Sequence, residues 1–162
     1  MLLLLIRHAD AGDRDPVRYP DDTLRELTAR GMEVQAEMSK ALRKRDLTPE
    51  VVFSSLWTRA WQTAEILAAV TRSPARPVQC HDLAGTPDPE RLARALGEQP
   101  PDRIVALVGH EPWLGELGSW LLAGGPQRMA IDFPKSGVLG IELRALEAGT
   151  GTLRFFLRPK LV

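Results

Sequence analysis

The chain has 162 residues, of which 44% are hydrophobic, and this length and composition suit a single domain over residues 1–162. Lys plus Arg and Asp plus Glu both number 21, so no net field attracts nucleic acid or an anionic membrane. The single cysteine, Cys80, cannot form an internal disulfide, and three scattered histidines give no metal-ligand spacing. We therefore expect a cytoplasmic protein that uses no metal ion or other cofactor.

The first predicted strand covers residues 2–6, a short apolar run typical of a strand buried on both faces of a parallel sheet. The run is too short for a signal-peptide core or a membrane span, and we expect it to remain in the mature protein. Arg7 and His8 follow it directly, at the strand end where α/β sheets bind ligands. Taken alone, this pair is either an anion-binding arginine beside a reactive imidazole or a surface arginine beside a loop histidine.

The remaining elements alternate between helix and strand, with Ser, Thr, Pro and Gly residues at their ends. A surface loop is expected at residues 10–26. Helices are predicted at residues 28–45, from Ser54 or Ser55 onward, at 88–97 and after Pro112, and strands at 51–53, 78–81, 104–108, 138–144 and 152–158. A Gly-Thr-Gly turn is expected to join the last two strands in an antiparallel edge hairpin. The alternation predicts an α/β fold, a three-layer α/β/α sandwich with a mostly parallel central sheet.

Basic side chains recur at the carboxyl ends of the predicted strands. Arg7 and His8 follow the first strand, Arg59 lies at the start of the second helix, and His110 follows the strand at 104–108. Two guanidinium groups and two imidazoles at one edge of a sheet repel one another unless an anion lies between them. Arginine forks bind phosphate oxygens in pairs and stabilise an in-line transfer without a metal ion. The pattern therefore predicts a phosphoryl-group site.

Four segments resemble the motifs of the histidine phosphatase superfamily, the phosphoglycerate mutase-like proteins. In chain order they are residues 5–8 (Leu-Ile-Arg-His), 27–31 (Leu-Thr-Ala-Arg-Gly), 54–64 (Ser-Ser-Leu-Trp-Thr-Arg-Ala-Trp-Gln-Thr-Ala) and 108–112 (Val-Gly-His-Glu-Pro). Ala9 stands where the family usually has glycine. The small size, with no cap insertion between the motifs, is most similar to the SixA-type phosphohistidine phosphatases.

The resemblance implies a covalent mechanism in which His8 attacks phosphorus and briefly becomes phosphohistidine. Arg7, Arg59 and His110 would bind the transferred oxygens, and water would then hydrolyse the intermediate. Larger members of the superfamily place a carboxylic acid beside the leaving oxygen, and Asp82 is the positional candidate for it, a surface cap or turn being its alternative role. Because an imidazole leaves readily without an acid, a site with one weak acid candidate favours phosphohistidine substrates.

Further side chains are candidates for contacts with a carrier protein or a second anionic group, although solvated loop charge explains them more simply. They are Arg14, Arg18 and Tyr19 in the first loop, and Lys135 and Ser136 before the hairpin. His81 is expected to be packed or solvated, and the tryptophans at 57, 61, 113 and 120 are expected to pack in the core.

The leading hypothesis is a metal-independent phosphatase that removes phosphate from a histidine of a carrier or signalling protein. One alternative is a phosphatase for small phosphomonoesters such as sugar or nucleotide phosphates. Another is a binding module for phosphorylated ligands that has lost catalysis. The expected partner is therefore a phosphorylated protein or a small phosphate ester, with no nucleic acid or membrane partner.

Overall fold

The computed structural model describes residues 1–85, 91–92, 100 and 102–161. Its strands are β1 (Leu2–Arg7), β2 (Val51–Ser54), β3 (Val78–Gln79), β4 (Ile104–Gly109), β5 (Val138–Glu142) and β6 (Thr152–Leu157). They form one six-stranded sheet in the order β3-β2-β4-β1-β5-β6. The first four strands pair in parallel, whereas β5 is antiparallel to β1 and β6 is antiparallel to β5. The prediction of a mostly parallel sheet with an antiparallel hairpin at one edge is confirmed.

Helices cover both faces of this sheet, which gives the predicted three layers. They are α1 (Ala29–Arg43), α2 (Thr58–Thr71) and α3 (Trp113–Ala123), with short 3₁₀ turns at Asp22–Leu24, His81–Ala84 and Pro159–Leu161. Successive side chains of a strand point to opposite faces, so Leu4 and Ile6 pack in the core under α1 and α2, while Leu3 and Leu5 pack in the core under α3. In the described part, no helix is both long and apolar enough to cross a bilayer.

Several predicted boundaries shift in the structure. Thr28 caps α1 as predicted, but neither Ser54 nor Ser55 caps α2, because the N-cap position is Trp57. The third strand has two residues rather than four, since the chain turns into a 3₁₀ helix at His81–Ala84. The helix predicted at 88–97 falls outside the described residues except at 91–92.

The connection between β5 and β6 is longer than the predicted Gly-Thr-Gly turn. Its backbone N–H groups pair with other elements: Leu143 with the Met1 carbonyl, and Gly149 and Gly151 with carbonyls at the end of α3. Residues 143–151 therefore serve as a link that ties the hairpin to the chain start and to α3.

The start of α1 packs directly on the loop that follows β1, and Gly31 permits this contact. The Thr28 N–H donates to the Asp10 carbonyl oxygen at 2.9 Å, and a Cβ built at Gly31 would lie 2.1 Å from that same oxygen. Only a residue without Cβ allows such an approach, which explains the spacing of the Leu-Thr-x-x-Gly segment.

We expect Gly31→Ala to destabilise the protein by roughly 1–3 kcal/mol, the usual cost of forcing an extra methyl group into a packed site. The free energy of unfolding in urea measures this. Gly85→Ala is the matched control, because nothing lies within 4 Å of a Cβ built there. Equal stability of the two variants would contradict the close-approach explanation.

Candidate active site

The carboxyl ends of β1 and β4 bring the two histidines of the site together. Arg7 and Gly109 are partners in the parallel register, so His8 and His110 leave the sheet side by side. Their ring centroids lie 5.0 Å apart, and both side chains are buried. The histidines that follow the two apolar strands therefore belong to a single site.

The ring of His8 is held in a single tautomer. Its Nδ1 lies 2.7 Å from the Ala9 carbonyl oxygen, which can only accept, so Nδ1 carries the proton and Nε2 carries the lone pair. Arg59 Nε lies 3.3 Å from His8 Nε2. The basic nitrogen of His8, Nε2, therefore faces the guanidinium group of Arg59.

Ala9, where the family usually has glycine, fits its position without strain. Among the described residues three non-glycine residues have positive φ, and Ala9 is not one of them. Its N–H donates to Thr63 Oγ1 at 3.0 Å, while the neighbouring Gln62 accepts from the Leu27 N–H at 2.8 Å. Gln62 and Thr63 of α2 therefore anchor the loop after β1 at its start and at its end.

Two arginines, the buried Arg59 and the half-buried Arg7, lie beside the histidines. Arg59, near the start of α2, is 4% exposed, and its guanidinium carbon lies 4.5 Å from the centre of the Trp57 ring. Arg7 Nη1 donates to the Phe133 carbonyl at 2.7 Å, whereas Arg7 Nε is buried and has no hydrogen-bond partner in the described part of the protein. Donors therefore remain available for an anion.

His110 is enclosed by groups from the segment between β2 and α2 and from the start of α3. Its Nε2 lies 2.9 Å from Ser55 Oγ, and its Nδ1 is buried with no partner among the described residues. The ring centroid of Trp57 lies 4.5 Å away and that of Trp113 lies 6.1 Å away. The prediction that these two tryptophans serve only core packing is incomplete, since both rings contact a histidine of the site.

Both histidines are neutral near pH 7. Burial, reinforced by the charges of Arg59 and Arg7, lowers the pKa of His8 from 6.5 to about 3, even though its hydrogen bond to Ala9 acts in the opposite direction. Burial, with the neighbouring His8 and Arg59, lowers the pKa of His110 to about 3 as well. The site therefore combines neutral imidazoles with permanent positive charge on the guanidinium groups.

This burial predicts a pH dependence of stability. Because the pKa of His8 lies near 3 in the folded protein and near 6.5 in the unfolded chain, its contribution to stability is complete above pH 6.5 and disappears as pH falls towards 3. Relative to His8→Gln, the wild type should lose up to about 1.4 kcal/mol more per pH unit between pH 6 and 4. Urea unfolding across this range measures the difference. His81→Gln, at an exposed position, is the control and should follow the wild-type curve, whereas parallel curves for wild type and His8→Gln would contradict the shift.

Asp82, the candidate acid, is engaged by another charge. Its Oδ1 lies 3.4 Å from Arg91 Nη1, and the Asp82 side chain is 21% exposed. His81 lies exposed in the same 3₁₀ turn, as a solvated histidine would. The structure therefore places Asp82 in an ion pair with Arg91.

The candidate substrate contacts fall into different environments. Arg14, Arg18 and Tyr19 line an open groove of ≈ 700 Å³ along the loop after β1, with the Arg18 guanidinium carbon 5.2 Å from the Tyr19 ring centre. Lys135 forms an ion pair with Asp10, and its charge contributes to the lowered pKa of His8. The charge of Lys135 therefore acts on His8.

Ser136 is buried rather than exposed, so it cannot meet a docked protein at the surface. Its N–H donates to the Arg7 carbonyl at 3.1 Å and to the His8 carbonyl at 3.3 Å, and its φ is 58°. Its hydroxyl is one of the buried groups without a partner in the described part of the structure. Ser136 thus stabilises the backbone of Arg7 and His8 through these two hydrogen bonds.

The sequence did not single out Asp10, Asp22 or Arg25, although all three bear on the site. Asp10 accepts from Thr28 Oγ1 as well as pairing with Lys135. Among the described residues, no group of three His, Cys, Asp or Glu side chains is arranged to hold a metal ion.

A parallel sheet that gathers two neutral histidines and two arginines at its strand ends defines an α/β enzyme that handles phosphoryl groups. The chain belongs to the histidine phosphatase superfamily (branch 1), whose family model matches residues 3–83. The protein is accordingly a phosphatase, as the four motifs predicted.

Comparisons with individual proteins support this assignment. An uncharacterized protein of Picosynechococcus sp. is 33% identical over 161 residues, covering 97% of this chain and 95% of the relative. The structure of the protein histidine phosphatase SixA complexed with tungstate matches with a TM-score of 0.82 and 25% identity, covering 99% of this chain and 98% of that one. Phosphoserine phosphatase from Entamoeba histolytica, in complex with 3-phosphoglyceric acid, shares the fold at a TM-score of 0.69 and 14% identity, covering 97% and 96%. The predicted similarity to SixA is confirmed.

Proposed function

We propose that this phosphatase removes the phosphoryl group from phosphohistidine in a protein, through a covalent phospho-His8 intermediate and without a metal ion. The state of the His8 ring carries the proposal. The ring is buried and neutral, and the Ala9 carbonyl holds the proton on Nδ1, so the lone pair lies on Nε2, which accepts from Arg59 Nε–H at 3.3 Å. A neutral imidazole beside two guanidinium groups is suited to attack an anionic phosphoryl group.

The reaction then proceeds in two displacements. His8 Nε2 forms a bond to phosphorus as the P–N bond to the substrate imidazole breaks, and the departing imidazole takes a proton from solvent. Water next attacks phosphorus, breaks the bond to His8, and yields inorganic phosphate and the neutral ring. Each step exchanges one bond at phosphorus for another, which divides one difficult displacement into two.

Arg7, Arg59 and His110 are assigned to the transferred oxygens. Arg7 Nε and His110 Nδ1 are buried without hydrogen-bond partners among the described residues, and burying an unpaired polar group is costly. With the Ser55 hydroxyl donating to His110 Nε2, Nδ1 carries the proton and can donate to an oxyanion. SixA, which shares this fold, binds tungstate, a tetrahedral oxyanion of the same general shape as phosphate, and this supports an oxyanion site in the present protein.

The leaving group favours phosphohistidine over an alkyl phosphate. Expelling an alkoxide needs a proton donor, and the Asp82 carboxylate is held near the positive charge of Arg91. An imidazole, with a pKa of about 6.5, departs without such help. The site therefore suits P–N bonds better than alkyl P–O bonds.

A second candidate function, hydrolysis of small phosphomonoesters, is favoured by Glu111. This residue follows His110 directly, and burial raises the pKa of its carboxyl group despite the hydrogen bond from the Gly115 N–H. A carboxyl group that retains its proton longer than usual can protonate an alkoxide. Glu111 is thus a second candidate acid besides Asp82.

Substrate profiling tests the two functions against each other. We expect a histidine-phosphorylated protein to be turned over far faster than phosphoserine or sugar phosphates, at a rate unchanged by a chelator. Glu111→Gln should leave phosphohistidine turnover unaffected. Faster turnover of alkyl phosphates, lost in Glu111→Gln, would instead establish the monoesterase function, and inhibition by the chelator would refute the metal-independent mechanism.

A further inference from the structure

Arg59 is held by a carboxylate that the proposed reaction does not use. Asp22, in the 3₁₀ turn after β1, accepts from Arg59 Nη1 through its backbone carbonyl at 2.9 Å, and its Oδ2 lies 3.4 Å from Arg59 Nη2. The Arg59 side chain is 5% exposed and that of Asp22 is 24% exposed, so water screens the contact weakly. One residue thus fixes two guanidinium nitrogens, while the third, Nε, lies against His8 Nε2.

Arg25 in turn fixes Asp22. Its Nε lies 2.9 Å from Asp22 Oδ1, and its Nη1 donates to the Gly12 carbonyl at 2.6 Å. The same guanidinium group therefore ties the 3₁₀ turn to the segment that follows His8. Burial acts to raise the pKa of Asp22, but the hydrogen bond from Arg25 and the charge of Arg59 outweigh it, so the carboxyl group stays ionised.

We propose that Asp22 is a positioning residue for Arg59, and that Arg25 keeps Asp22 in place. The inference rests on the proposed role of Arg59 in binding phosphoryl oxygens. An arginine fork matches an oxyanion only in a defined orientation, and a long side chain released from its contacts gains rotamer freedom that binding must remove again. Trp57 covers the guanidinium group, but the ring supplies no hydrogen-bond acceptor that would set the direction of its N–H groups.

A double-mutant cycle tests this role. The variants Asp22→Ala, Arg59→Ala and their combination are compared by kcat/KM for p-nitrophenyl phosphate, whose leaving group needs no acid. Asp22→Ala should lower kcat/KM by roughly 10- to 100-fold in the wild type, because small misplacements of a catalytic group have effects of that size. In the Arg59→Ala background the same change should have an effect of about twofold or less, since the residue it orients is gone.

Asp21→Ala is the matched control. Asp21 lies in the same turn and accepts from the Thr23 N–H at 2.9 Å, so its loss perturbs the turn without removing the Asp22 carboxylate. Its kcat/KM should stay within about twofold of the wild type. The isosteric variant Asp22→Asn is measured in the same cycle. It should lower kcat/KM less than Asp22→Ala does, and this loss should also vanish in the Arg59→Ala background. Thermal unfolding confirms that each variant is folded.

Inhibition by orthovanadate is the second readout, and it should weaken in Asp22→Ala but not change further when Arg59 is already alanine. An equal loss from Asp22→Ala in both backgrounds would overturn the positioning role while leaving the role of Arg59 intact. A fully active Arg59→Ala enzyme would instead overturn the proposed function on which the inference rests.

Discussion

Replacing His8 with alanine is expected to reduce turnover by roughly 10⁴- to 10⁶-fold, the scale seen when a covalent nucleophile is removed. The buried ring places Nε2 beside Arg59 at 3.3 Å, and no other group in the described site presents a neutral lone pair fixed by a backbone acceptor in this way. Phosphate release from a histidine-phosphorylated protein measures the loss.

The His8→Ala result needs a histidine control and a folding control. His81→Ala removes an exposed imidazole and should leave turnover unchanged, which excludes a general effect of histidine loss. Circular dichroism should show that His8→Ala retains the wild-type fold, because truncating the ring leaves the backbone contacts of β1 intact. A folded His8→Ala protein with wild-type turnover would refute the covalent mechanism.

Arg59→Ala is expected to lower turnover by roughly 10²- to 10⁴-fold, as the loss of a preorganised donor to a developing oxyanion does elsewhere. Its guanidinium group carries permanent charge close to His8 Nε2 and is almost fully buried. Steady-state kinetics together with inhibition by orthovanadate measure the effect, and the inhibition constant should rise with the loss of turnover.

Two further variants at arginine positions sharpen this prediction. Arg59→Lys keeps the charge but not the planar fork, so it should recover only part of the lost activity. Arg30→Ala removes an exposed arginine paired with Glu33 and should have no effect on turnover. Unchanged vanadate inhibition in Arg59→Ala would remove this residue from the oxyanion site.

The parts of the fold that were predictable are those with strong local signals. β1 and β4 are continuous apolar runs, and such runs indicate strands buried on both faces whatever surrounds them. Their parallel pairing then places Arg7 and His8 beside His110 without further information. The start of α1 was predictable for a similar reason, because Thr28 caps it through its own side chain.

The parts that were missed depend on contacts between distant segments. Trp57 sits at helical spacing, which predicts burial but does not say that the ring faces His110. Asp22 and Arg25 lie in a polar loop, and only the folded chain brings that loop onto α2 and Arg59. Ser55 looked like a helix cap, whereas its hydroxyl contacts His110 Nε2 instead.

The most direct test of the account is to follow an isotopically labelled phosphoryl group through a single turnover. The enzyme is mixed with a histidine protein labelled on its phosphohistidine, quenched in alkali, which preserves phosphohistidine, and digested for mass spectrometry. We expect transient label on His8 that rises and decays at the rate of phosphate release. The His8→Ala protein should carry no label. Rapid phosphate release with no label on His8 at any time, or with label on another residue, would contradict it.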